Sequence, residues 1–290
     1  MEPNPKAEAV VQPLRNQVMK AITHLPAITA GMRGVIIYLL AITAAEVTTT
    51  IVRMFNTNQP LLGMTLHIII LVVVIGHSAI ASEYRYRQLL LSLALVPMVR
   101  IISLAMPLAN IPQIWWYPTI YTTLFAAAFM VVRISGYRAD ELGFNFRLLP
   151  VQVMVALCGF LFGTVEYLIL RPEPMFSELT WQGIWQMALI FVVFTGFVEE
   201  FIFRGVLQRS AVGVFGWRGI VYVSLLFAVI HLIHYTTVGL AIVLLDVTFV
   251  FVIALFFGWV VKKTGSLFGV TLSHGMTNIT LYIILPLVLG

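Results

Sequence analysis

Two neighbouring carboxylates, Glu199 and Glu200, stand in the stretch FVEEFIFRG, residues 197–205, shortly after an apolar run from Met187 to Phe194. A charged side chain at the centre of a bilayer costs about 2.5–3.5 kcal/mol on insertion scales. Helical spacing gives the two glutamates different tasks. Glu200 precedes Arg204 by four residues, the favourable order for a helical ion pair, so it reads as a brace that neutralises itself. Glu199 shares its face with Gly196 and Phe203 and has no local cation. It is the candidate general base.

Two further pairs follow. In SLLFAVIHLIHY, Phe227 and His231 lie one turn apart, with His234 three residues on as a rim or accessory group. In VTLSHGMTNIT, His274 and Asn278 are four apart, and both carry N–H groups that can donate to a developing oxyanion. Counting about 1.5 Å per residue from one end of each helix places Glu199, His231 and His274 roughly 15, 18 and 12 Å deep. One layer can therefore hold all three.

The elements that must carry these residues are membrane spans. The chain is 60% hydrophobic and 10% charged, with mean hydropathy +0.99, which excludes an ordinary soluble domain. Windowed hydropathy predicts spans at roughly 34–52, 62–82, 88–108, 116–132, 150–170, 182–203, 219–236, 238–260 and 266–288. The expected fold is all-α, a polytopic membrane helix bundle of about eight to nine transmembrane helices. Lys and Arg gather on one side of that arrangement, predicting a cytoplasmic N-terminus and an external C-terminus. The basic excess follows topology and anionic lipid, and no nucleic-acid partner is expected. The first apolar stretch reads as a retained span rather than a cleaved signal. Residues 1–33 form an N-terminal segment that either lies along the inner membrane surface or is a loose tail. Residues 34–175 form a transmembrane scaffold, and 176–290 the chemical core.

The remaining polar residues have plainer readings. Arg100 and Glu46 come out at matching depth and are expected to pair, with Asp246 as competitor. Glu166, near the outer end of its span, is expected to be solvated. His67 and His77 read as packing or interfacial residues, and Cys158 as a small buried one. A single cysteine allows no disulfide within the chain and no cysteine zinc cluster.

The ordered motifs Glu199-Glu200-x-x-x-Arg204, Phe227-x-x-x-His231 and His274-x-x-x-Asn278 resemble those of the CPBP family of CAAX-prenyl-protease-2 (Rce1-like) intramembrane proteases. The resemblance covers about residues 181–290. It implies that Glu199 and His231 activate a water, that His274 and Asn278 stabilise the oxyanion, and that Glu200, Arg204 and Phe227 support them. It also implies a metal-free mechanism without cofactor. The alternative is zinc held by Glu199, His231 and His274. The implied partners are the bilayer and a membrane-bound or lipidated peptide or protein, with the cavity toward the cytoplasmic half. The contrasting function is a catalytically silent scaffold, an immunity protein or a transporter on the same fold.

Overall fold

The computed structural model describes residues 31–52, 60–106, 110–112, 115–173, 180–232 and 239–289. The interfacial reading of the N-terminal segment falls almost wholly outside these residues, as does His234. The chain divides into two compact units, Met1–Leu40 and Ala41–Gly290. In the first, the described residues 31–40 are helical. The packing described below is that of the second.

Among the described residues there is no strand. The helices are α1 (Gly31–Val52), α2 (Leu61–Ile80), α3 (Tyr84–Ala105), α4 (Trp116–Ser135), α5 (Leu149–Leu170), α6 (Trp181–Phe215), α7 (Arg218–Ile230), α8 (Leu240–Thr264) and α9 (Phe268–Leu289). Eight of them are long and apolar enough to cross a bilayer. The all-α polytopic bundle is thus the observed fold.

Two boundaries depart from the hydropathy reading. Among the described residues of the window 219–236, the α-helix runs from Arg218 to Ile230 and ends in a cap at His231. The polar run that follows ends it sooner than an averaged window registers. The window 182–203 is instead part of a 35-residue helix. Glu199, Glu200 and Arg204 lower the hydropathy there, but these charges are paired inside the bundle and do not break the helix.

Exposed apolar side chains such as Ile69, Val72 and Val73 on α2 or Met154, Leu157 and Leu161 on α5 cover the outside of these helices. A bilayer leaves such faces unpenalised, and it gives helices no hydrophobic reason to associate. Close backbone approach takes over. At the crossing of α6 and α9, a Cβ on Gly196 would lie 2.6 Å from the Thr271 carbonyl oxygen, and one on Gly275 would lie 2.8 Å from Val192 Cα. On α5, Gly159 lies under Ser273 of α9 in the same way, a Cβ there coming within 2.3 Å of its carbonyl oxygen. α9 is therefore pressed against both α5 and α6. Gln152 of α5 accepts the Gly269 N–H at 2.8 Å, satisfying a donor in the first turn of α9.

The connection after α4 is tied to the one between α8 and α9. Leu267 N donates to Gly143 O at 3.0 Å. Asn145 Nδ2 donates to Gly265 O at 2.7 Å, and the Ser266 hydroxyl donates to Asn145 O at 2.5 Å. The start of α9 is thus held both from α5 and from the connection after α4.

Candidate active site

Glu199 and Glu200 occupy a short α-helical turn, Val198–Glu200, between two π-helical segments, Phe191–Phe197 and Phe201–Leu207. A π turn carries extra backbone and rotates the residues beyond it, and such bulges concentrate at functional sites. Glu200 pairs there with Arg204 and Glu199 with Tyr121, so the two carboxylates diverge. Both reach one imidazole. His274 Nδ1 donates to Glu200 Oε1 at 2.9 Å, while its Nε2 lies 3.9 Å from Glu199 Oε2. The ring bridges the divergent carboxylates because its nitrogens sit on different edges.

Glu200 also takes Arg204 Nη1 at 2.8 Å, and both side chains are buried. This is the i,i+4 pair that the sequence predicts. The Arg204 guanidinium lies over the rings of Phe227 at 4.3 Å and Phe257 at 5.7 Å, which supply π faces where water is excluded. Glu199 has a partner of its own. Tyr121, on α4, donates its hydroxyl to Glu199 Oε1.

His231 caps α7. Its Nδ1–H donates to Phe227 O at 2.7 Å, so in the neutral ring Nε2 carries the lone pair. The end of α7 is gripped from α3, where Arg100 Nη2 donates to Ile230 O at 2.6 Å. Arg100 is itself held by Glu46, with Nε 3.0 Å from each carboxylate oxygen and Nη2 2.8 Å from one of them. The pair expected from matched depth is present, formed with Glu46 rather than Asp246, and it anchors the carbonyl next to His231. His67, read as a packing or interfacial residue, is fully buried, with Nε2 3.5 Å from Glu46. His77 packs edge-on against Tyr86.

Asn278 Nδ2 donates to the Thr195 hydroxyl at 2.8 Å, and that hydroxyl donates to Phe191 O at 2.6 Å. The amide is thereby fixed to the first π segment of α6, with a second N–H left over. His231, His274, Asn278 and Arg204 line one cavity of about 50 Å³, walled also by Phe257 and Glu166. A water requires about 10–15 Å³, so the cavity has room for a few. Glu199 is not among the lining residues; it meets the cavity through His274.

Glu166 is thus half-buried at the cavity rather than solvated, because Gly159 and Gly163 bring α5 close against Ser273 and Thr277 of α9. Cys158 is only half-buried, with Sγ 3.3 Å from Met154 O. It lies on a helix whose outer face is turned away from the bundle.

The sequence reading missed three residues of this site. Thr195 stands one turn before Glu199, a spacing that was available. Glu166 was visible as an acid in an apolar span. Tyr121 gave no signal, since its contact is made wholly across helices. Among the described residues, no group of three or more His, Cys, Asp or Glu side chains is arranged to hold a metal ion.

Fold and site together define a polytopic membrane protein with a polar Glu–His–Asn cluster inside its spans. Residues 181–280 match the family model of type II CAAX prenyl endopeptidase Rce1-like proteins. The match begins with α6 and runs into α9, so it includes Glu199, His231, His274 and Asn278. No curated protein and no solved structure was found to match the chain.

Proposed function

We propose that this protein is a membrane-embedded endopeptidase that hydrolyses peptide bonds of membrane-bound or lipidated substrates, including C-terminal CAAX sequences. The observation that carries the reading is His274, which lies between two adjacent glutamates and shares a cavity with His231 and Asn278. Structural ion pairs alone do not require such convergence on a cavity.

In this reading a water in the cavity attacks the scissile carbonyl carbon. Glu199 takes its proton on Oε2, an atom with no hydrogen-bond partner among the described residues. Catalytic hydrogen bonds are often long without substrate and tighten when it binds, so the position of Glu199 behind His274 is compatible with that task. The Nε2 lone pair of His231 accepts the second water proton as a hydrogen bond. The tetrahedral oxyanion receives hydrogen bonds from Asn278 Nδ2 and from Nε2–H of a doubly protonated His274, whose Nδ1–H stays on Glu200. Glu199 then returns the proton to the leaving amine as the C–N bond breaks. Glu200, Arg204 and Phe227 position this set, as does Tyr121.

The mechanism proposed is metal-free, with zinc on Glu199, His231 and His274 as the alternative. The N-terminus is assigned to the cytoplasm and the cavity to the cytoplasmic half of the bilayer, on the Lys and Arg distribution. Residues 176–290 serve as the chemical core and 34–175 as its scaffold. The test uses purified protein and peptides ending in Cys-aliphatic-aliphatic-X, farnesylated or not, in water enriched in oxygen-18. The expected result is a truncated peptide with the heavy oxygen in its new carboxylate. Intact peptides at high enzyme concentration, membrane-bound ones included, would overturn the proposal.

A further inference from the structure

A second cavity, of about 430 Å³, opens between α3, α6, α8 and the connection after α4. Its size is that of a small-molecule site, for which about 300–1,000 Å³ is usual. Four cations line it, Arg85, Arg204, Arg209 and Lys262, against one carboxylate, Glu141. Glu141 is engaged by Arg209 at 2.6 Å, and Arg204 by Glu200 at 2.8 Å. Arg85 and Lys262 have no ion-pair partner among the described residues.

The cavity also reaches buried polar groups. Gln208 is 3% exposed and Arg204 2% exposed. Arg204 Nη2 and Gln208 Oε1 have no hydrogen-bond partner among the described residues. The Tyr137 hydroxyl and Ser210 Oγ are 2.6 Å apart on the wall. Burial pushes the Tyr137 phenol above its usual value, so it keeps its proton as a donor.

A sidedness bias in basic residues accounts for cations at helix ends, but it has no reason to gather them around one concavity. Here Arg85 opens α3, Arg209 lies late in α6 and Lys262 in the last turn of α8. Three separate helices bring their ends together. Helix ends of this kind lie at headgroup level, where basic pockets between spans bind phosphate-bearing lipids.

We propose that this cavity binds a phosphate group, carried by an anionic phospholipid headgroup or by a soluble phosphomonoester. It shares only Arg204 with the cavity of the candidate active site, and its test does not depend on proteolysis. Full-length protein in non-ionic detergent is titrated calorimetrically with dihexanoyl phosphatidic acid, dihexanoyl phosphatidylcholine and glycerol 3-phosphate. The comparison protein is the double variant Arg85→Ala with Lys262→Ala, two exposed positions whose loss leaves the melting temperature without ligand unchanged. Phosphatidic acid is expected to bind the native protein, and the double variant to bind it about 25-fold more weakly, roughly fivefold per cation. Competition by glycerol 3-phosphate assigns the site to soluble phosphates. Binding of phosphatidic acid without such competition assigns it to lipid. Equal affinity for phosphatidylcholine, no binding of either phosphate probe, or undiminished binding by the double variant would overturn the proposal.

Discussion

Glu200 is buried between a guanidinium and an imidazole, and that position predicts a failure different from that of its neighbour. Removing one member of a buried ion pair leaves the other uncompensated, at about 3–5 kcal/mol. Glu200→Gln and Arg204→Met should each lower the melting temperature in detergent. The double variant should recover part of the loss, because neither charge is then stranded. A double variant no more stable than either single one would mean that the pair is not the brace described. The ion pair was legible in the sequence as a spacing of four. The bond from Glu200 to His274 was not, since it joins residues 74 apart in the chain.

At the scale of elements, the site depends on how closely α9 approaches α6. Ala at Gly196 would place a methyl group 2.6 Å from a carbonyl oxygen of α9, with backbone rather than a flexible side chain in the way. Overpacking of this kind costs about 1–3 kcal/mol. It should also pull Asn278 off Thr195. Gly196→Ala is therefore expected to lower both melting temperature and turnover, whereas Gly213→Ala, in a helix and with nothing within 4 Å of the added carbon, should lower neither and can raise the melting temperature. Equal behaviour of the two variants would contradict the packing account. Hydropathy found these helices because a span needs a long apolar stretch, which α8 supplies over 25 residues. It misjudged α6 and α7 for a related reason. A window average treats Glu199 and Arg204 as interruptions, although the two π segments carry the helix through them. It also lets the apolar residues of α7 mask the polar run that ends it.

For the whole molecule, the Lys and Arg distribution makes a prediction about sidedness that is independent of any chemistry. In a Cys158→Ser background, Asp140→Cys should react with an impermeant thiol reagent only from the cytoplasmic side, and Glu173→Cys only from the outside. Both positions lie in described connections between spans. Labelling of both from one side would remove the nine-span topology. That count rests on α7 being carried across by residues beyond its 13 helical ones. The Glu46–Arg100 pair shows how far sequence reasoning reaches at this scale. Matched depth in two spans was enough to expect it, but its grip on Ile230 O beside His231 needed coordinates.

The central claim is that Glu199 is the base of a hydrolytic site, and one experiment addresses it most directly. Turnover of a quenched fluorescent CAAX peptide is measured for the native protein and for Glu199→Gln, each with and without a zinc chelator, alongside melting temperature. General acid–base catalysis contributes about 10²–10⁴-fold. The account predicts native turnover that survives chelation, and a variant that melts normally but has lost at least that factor. A folded Glu199→Gln protein with near-native turnover would contradict it, as would native activity abolished by chelation and restored by zinc.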